Sequence, residues 1–495
     1  MNSPTKKPNV LLVMVDQWSG KLLRSAGHPS ILTPTLDHLA RLGTRYSRAY
    51  SECPICIPAR RTVMTGTSPR KHGDRVFKPD AVMPDFPLLA QVFRDAGYQA
   101  YATGKLHVYP PRDRIGFDDV MLAEEGRPQL GSVDDYDLFL ADAGQAGKQF
   151  DHGMNNNDYL FRPWHLEERL HVTNWTTQAA SRAIKRRDPT RPAFWHVSYT
   201  HPHPPLVPLA SYLDQYKAEL LDLPLEADWA QAEVPQALQT VREFWPTRFS
   251  DHELQMIRRA FYALCTHVDH QLRVLLGTLR EEGELDNTVI MVCSDHGDML
   301  GDFGLWAKRL YYEGSAHIPM ILVAPRHMSQ VKADAVDDRL VGLQDVMPTL
   351  LELAGIDIPA SVEGLSMCGP TRREMLYGEC REDRNATRMA HDGRHKLIWY
   401  PGGNHVQLFD LQVDPNEQHD VADQPEYAGV RERLVGFLVE QAYGKDLEWI
   451  TDGQLVGFDP GALNFKADRS WGGQRGAHYP TPPMTDPSKP VGAPG

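Results

Sequence analysis

The sequence predicts an α/β protein organised around a large, mostly parallel sheet, with a smaller unit at its C-terminal side. Three observations predict it. Short apolar, partly β-branched runs alternate with amphipathic helical stretches from residue 8 to about 360, the pattern of strand–helix–strand crossovers. Two of those runs end in Asp-Gln and Asp-His pairs, polar groups at the carboxyl edge where open α/β sheets gather their ligands. The chain has 495 residues, more than one hydrophobic core usually organises, so a large domain with a smaller companion is expected.

Taken in order, Asn9 to Val15 is a buried strand that ends at Asp16-Gln17. Pro34 to Leu42 opens with a proline at the helix start and carries leucines at helical spacing. Pro87 to Ala96 reads as helical and leads into a short strand around Tyr98 to Ala102. Phe194 to Thr200 is a strand running into the rigid loop His201-Pro202-His203-Pro204-Pro205. Arg258 to Glu281 sets Ala260, Leu264, Val268, Leu272 and Leu275 at helical spacing and feeds a strand that ends at Asp295-His296. Ile318 to Val323 is the next strand, and Asp345 to Ala354 is a helix stopped by Gly355.

The stretches from about 109 to 170 and from 204 to 250 are irregular, and long connections of this kind form active-site walls. From Met375 to about Leu447 the elements become shorter, including Lys396 to Tyr400, Gln407 to Leu411 and a helix from about Ala428. The expected division is 1–374, 375–455 and a Pro/Gly-rich tail at 456–495. That tail reads as disorder or as an arm wrapping a second subunit; the second possibility predicts a homo-oligomer.

Against 52 basic residues stand 65 acidic ones, a net charge of −13. This balance excludes nucleic acid as a general partner while leaving room for a local cationic pocket. No apolar run approaches the ~18 residues of a membrane span, and no secretory signal pattern precedes the first strand; no membrane partner and a cytoplasmic location are expected. Six cysteines are too sparse for a disulfide framework. Cys53-Pro54-Ile55-Cys56 spells a redox or zinc C-x-x-C, but no second C-x-x-C accompanies it.

The motifs carry the chemistry. Cys56-Ile57-Pro58-Ala59-Arg60, followed by Thr65-Gly66, resembles the C-x-P-x-R signature of the type I sulfatases, in which the cysteine is oxidised to formylglycine. Thr103-Gly104-Lys105-Leu106-His107 looks like their G-K-x-H segment, and Pro202-His203-Pro204-Pro205 is similar to their P-H-x-P element. Ser294-Asp295-His296-Gly297-Asp298, with Lys308 and Tyr312-Glu313-Gly314 following, completes four blocks in family order over some three hundred residues. Singly, each residue has an ordinary structural use: an Asp caps a helix, a lysine lies in solvent. Their joint order carries the resemblance.

The resemblance implies an alkaline-phosphatase-like sandwich and a sulfuric ester hydrolase, and the lack of an export signal pattern points to a small, imported sulfate ester as its substrate. It implies a maturation partner, the formylglycine-generating enzyme, and one divalent ion held by Asp16, Gln17, residue 56, Asp295 and His296. Arg60 would hold the formylglycine hydrate, Lys105 and Lys308 would neutralise the transferring group, His107 would take a proton from the hydrate, and His203 would protonate the leaving oxygen. Two positions depart from many sulfatases: Gln17 stands where they carry Asp, and His296 where they carry Asn. The imidazole favours Mn²⁺ while the oxygen donors suit Ca²⁺, so both ions are admissible. The Asp-Gln and Asp-His pairs are shared with phosphonate monoester hydrolases, the nearest alternative, whereas Lys105 and His107 favour a sulfatase with some promiscuity toward phosphoryl esters. A catalytically silent anion-binding relative is the alternative of a different class.

Overall fold

β1 (Asn9–Asp16) is buried along its whole length, which places it at the centre of a sheet covered on both faces. The computed structural model describes residues 6–125, 133–154, 156–218, 220–231, 233–244 and 249–462. Eight strands form the sheet in the order β4-β3-β5-β1-β6-β7-β2-β8. They are β1, β2 (Thr44–Tyr50), β3 (Gln99–Gly104), β4 (Asp119–Leu122), β5 (Ala193–Pro202), β6 (Thr288–Ser294), β7 (Met320–Val323) and β8 (Ala335–Gly342). β7 runs antiparallel to both of its neighbours, and every other pairing is parallel. The carboxyl ends of β1, β2, β3, β5 and β6 therefore open on one edge.

Side chains alternate across this sheet. Leu11, Val13 and Val15 face one core together with the helices Val172–Lys185 and Asp251–Glu281. Val10, Leu12 and Met14 face a second core that takes in Ala59, Val63 and Met64 of the helix Cys56–Thr65 and Leu350 and Leu351 of Val346–Leu353. Two layers of helix on one sheet are what a period of two buried on both faces requires.

The structure differs from the sequence reading in three places, the first being that the stretches read as irregular hold β4 and the helices Asp135–Asp142 and Gln236–Phe244. The long helix begins at Asp251 rather than Arg258, because Ser250 and Glu253 form a reciprocal capping box. β2 and β8 are strands although neither is an apolar run. Thr44-Arg45-Tyr46-Ser47-Arg48-Ala49-Tyr50 is only half-buried, so its signal is the pairing it finds with β7 and β8 rather than its composition.

β9 (Leu376–Cys380), β10 (Thr387–His391), β11 (His395–Tyr400) and β12 (His405–Asp410) form an antiparallel sheet in the order β12-β11-β10-β9. One face carries Ala390, Leu397, Trp399 and Leu408 against Leu434 and Leu438 of the helix Ala428–Gln441. The other face packs Met389, Ile398 and Phe409 against Phe303, Tyr311 and Tyr312 of the loop that follows β6. Most of the tail expected to form an arm, residues 463–495, lies outside the described residues. Among the described residues no helix is long and apolar enough to cross a membrane.

A buried ion cluster joins the two sheets. Lys396 on β11 reaches Glu313 at 2.6 Å and Glu417 at 2.8 Å, and Tyr50 at the end of β2 donates to Glu313 at 2.9 Å. Removing one member of such a set strands the remaining charges. Lys396→Ala is expected to lower the unfolding free energy by about 3–5 kcal/mol, read from equilibrium denaturation in urea.

Candidate active site

Five strand ends supply the site. β1 ends at Asp16, which lies fully buried. β6 delivers Asp295 and His296, both fully buried. β3 ends at Gly104 with Lys105 next, β5 leads to His203, and the segment after β2 brings Cys56 to the first turn of the helix Cys56–Thr65. That helix start favours negative charge on residue 56. Asp16, Cys56, Asp295 and His296 each offer one ligand atom, and the four atoms lie within 4.8 Å of one another.

Two glycines make the approach possible. A Cβ at Gly104 would stand 1.9 Å from the Ser198 carbonyl oxygen, and one at Gly297 would stand 2.1 Å from that of Gly314. Three non-glycine residues at the same edge, Gln17, His107 and Ala307, hold positive φ values of 69°, 62° and 58°, conformations that neighbouring packing must impose.

Cys56 Sγ sits at the centre. His296 Nε2 is 3.2 Å away, Lys308 Nζ donates to the sulfur at 3.2 Å, and Asp16 Oδ1 lies at 3.9 Å. Burial pushes the thiol's pKa up, but Lys308, Lys105, His296 and a hydrogen bond from His107 outweigh it and hold the thiol well below its ordinary value.

Arg60 braces the carboxylates from beneath. Its Nε donates to Asp295 Oδ2 at 3.0 Å, Nη2 to Asp16 Oδ2 at 3.4 Å, and Nη1 to the Lys105 carbonyl and Ser198 Oγ at 2.7 and 2.8 Å. Lys105 Nζ bonds Asp16 and, at 2.7 Å, Glu125. Burial and Cys56 push Asp16 upward, yet Lys105, His203 and Lys308 bring it down to about 2. Asp295 is pushed up by burial and then by Asp16, the mark of two carboxylates sharing one small space.

The sequence-read residues divide by distance. Asp16, Cys56, Asp295, His296 and Lys308 converge on one point, and His107 is among the groups that hold the residue 56 thiol low. Gln17 turns its Oε1 to Lys308 Nζ at 2.7 Å. His203 stands beside Glu125, at 3.5 Å, with its Nδ1 on the Pro204 carbonyl at 2.7 Å. Sequence reasoning missed Ser198, Glu124, Glu125, Tyr159 and Asp298. Only Asp298 had a signal, its place in the Asp295-to-Asp298 block; the Glu124-Glu125 pair lies in an irregular stretch with no pattern.

His203 and Glu125 also line a recess together with Tyr136, Phe150, His152, Trp164, Pro204, Pro205 and Val207, about 500 Å³ with its open mouth included. Most of its walls come from the stretches 109–170 and 204–250, with Val172, and Thr200 and His201 of β5, completing the lining.

Comparison with known proteins places this geometry. The sulfatase family pattern matches residues 8–356, and the pattern of the C-terminal part of N-sulphoglucosamine sulphohydrolase matches 301–443. An arylsulfatase of Clostridium perfringens is 36% identical over 91% of this chain and 97% of its own. The chain belongs to the sulfatase family. This sulfatase is a hydrolase of sulfuric esters. A choline-sulfatase of Rhizobium meliloti is 29% identical over 90% of this chain and 88% of its own. The solved phosphonate monoester hydrolase of Agrobacterium radiobacter superposes with a TM-score of 0.75 over 92% of this chain and 100% of its own, at 23% identity; that likeness is one of fold, and it does not favour the phosphonate alternative.

Glu124 holds the segment that carries His107, its Oε1 accepting the N–H groups of Leu106 and His107 at 2.7 and 2.8 Å. Glu124→Ala is expected to lower kcat by about ten- to a hundred-fold through misplacement of His107, with Glu124→Gln near wild type because a carboxamide oxygen accepts the same two bonds. Steady-state assay of both variants on one sulfate ester checks this.

Proposed function

We propose that this sulfatase cleaves aryl sulfate esters with a formylglycine made from Cys56 and one divalent ion. The observation that carries the reading is the convergence on Cys56 Sγ of Lys308 Nζ and His296 Nε2, each at 3.2 Å, inside a buried pair of carboxylates. An unconverted structural thiol needs no such surroundings.

The donor set suits the ion. Asp295 is raised first by burial and then by Asp16, and a cation held by this set would offset both. His296 Nδ1 lies 3.0 Å from the Gly297 carbonyl, so that bond takes the Nδ1 proton and turns the Nε2 lone pair inward. Asp16, Asp295, His296 and residue 56 would hold the ion, with the Gln17 carbonyl adjacent. When bound, the ion and the formylglycine hydrate together supply a hydroxyl of lowered pKa aimed at sulfur.

The protein's own side chains supply the remainder. Lys105 and Lys308 present ammonium groups to the non-bridging oxygens of the sulfate, preorganised by Asp16, Glu125 and Gln17. His203 has its Nδ1 committed to the Pro204 carbonyl, which leaves Nε2 to pass a proton to the departing oxygen. His107, one of the groups that lower the residue 56 thiol, takes the proton that residue must release for the next turnover. Arg60 orients both ligand carboxylates and reaches residue 56 through them.

The recess beside His203 receives the alcohol. Phe150, Trp164 and Tyr136 give it flat apolar walls, which match a single aromatic ring stacked or edge-on. The arylsulfatase relative is consistent with that fit.

Three outcomes are expected. In protein matured beside a formylglycine-generating enzyme, peptide mass spectrometry finds residue 56 as the aldehyde, and Cys56→Ala is inactive; full activity with an unmodified thiol would sink the mechanism. Chelation abolishes turnover, and Mn²⁺ restores it better than Ca²⁺ because His296 supplies nitrogen. Trp164→Ala raises KM for an aryl sulfate by about ten-fold, a stacking contact's worth, with little change for a compact alkyl sulfate.

A further inference from the structure

Gln17 is held by both ends of its amide. Its Oε1 accepts from Lys308 Nζ at 2.7 Å, and its Nε2 donates to Asp298 Oδ2 at 2.6 Å and lies 3.1 Å from the Tyr159 hydroxyl. Tyr159 in turn donates to the same Asp298 oxygen at 2.6 Å. The other oxygen, Oδ1, accepts the backbone N–H groups of Leu300 at 2.8 Å and Ala307 at 3.2 Å. Asp298 and Tyr159 are both buried.

Which end of an amide faces which neighbour is decided by donor and acceptor count. An ammonium only donates and a carboxylate only accepts. Reversing Gln17 would set its NH₂ against Lys308 and its carbonyl against Asp298, leaving two buried mismatches at once. Tyr159, packed on Trp306 with ring centroids 4.5 Å apart, occupies the second acceptor position of Asp298 and closes the pocket around the NH₂ group.

We propose that Asp298 and Tyr159 are positioning residues that lock the Gln17 amide with its carbonyl toward Lys308 and residue 56. Asp298 acts on Lys308 from two directions, through Gln17 and through the N–H of Ala307, the residue before Lys308. Lys308 Nζ, 3.2 Å from Cys56 Sγ, is thereby aimed at the reacting centre rather than left to search. The inference rests on the proposed place of Lys308 at the sulfate.

A reciprocal exchange tests it. Gln17→Glu alone brings two carboxylates together, and Asp298→Asn alone presents a donor to a donor or strips the Ala307 and Leu300 bonds. In the double variant the new carboxylate at position 17 accepts from Lys308 and from the new carboxamide at position 298, and the network closes again. With Mn²⁺ in excess and 4-nitrophenyl sulfate as substrate, each single variant should lose about a hundred-fold in kcat with KM within about three-fold. The double variant should return to within about ten-fold of wild type, and Tyr159→Phe should lose about three- to ten-fold.

Melting temperature is read on the same four proteins. It should fall in both singles and recover in the double, an arm that needs no turnover. Losses that multiply in kcat and add in melting temperature would overturn the proposal, since two residues that do not act through one shared hydrogen bond have no reason to be rescued by exchange. A wild-type enzyme that failed to cleave the sulfate ester would sink the functional reading, while the melting cycle would still decide the orientation of the amide.

Discussion

Two carboxylates and an ionisable thiol packed into one small, buried space are the constraint on which the rest of this structure depends. Asp16, Asp295 and Cys56 lie within a few ångströms of one another and are fully buried. Buried charge of one sign is strongly unfavourable unless cations share the burial. Arg60, Lys105 and Lys308 do so, and each arrives from a different element: a helix, a strand end and a loop. The family's spaced motifs are the sequence record of that compensation.

The fold makes the convergence cheap. Five parallel strands end on one edge, so residues that are remote in sequence arrive pointing at a common volume. Tight turns immediately past those ends, with Gly104 and Gly297 admitting close backbone approach and Gln17, His107 and Ala307 at positive φ, keep the side chains short of solvent. The cations serve twice. They stabilise the buried carboxylates, and under the proposed function Lys105 and Lys308 also meet the charge of the sulfate, so the electrostatics of folding and of substrate binding would be one arrangement.

Outside that centre, the proposed function separates general chemistry from selection. The motif residues surround residue 56, while the aromatic recess is assembled mostly from segments between strands. The small antiparallel sheet supports the centre from behind: Met389, Ile398 and Phe409 pack on Phe303, Tyr311 and Tyr312, and Lys396 bonds Glu313, five residues beyond Lys308. The loop bearing Lys308 is thus clamped between two sheets.

The sequence by itself determined the sheet class and the positions of most reacting groups, because buried parallel strands are continuous apolar runs and the motifs fix residue type at fixed spacing. β1, β5 and β6 were legible for that reason, as were Asp16, Cys56, Lys105, Asp295, His296 and Lys308 as a set. β2 and β8 were not, since half-buried polar strands owe their state to pairing partners hundreds of residues away. Only the tertiary structure decided that Arg60 braces Asp16 and Asp295, that Glu124 holds the His107 segment, and that Asp298 and Tyr159 grip Gln17. Each of those roles is a hydrogen bond between distant segments, and hydrogen-bond direction is set by what faces a group in space, a quantity that no local run of residues encodes.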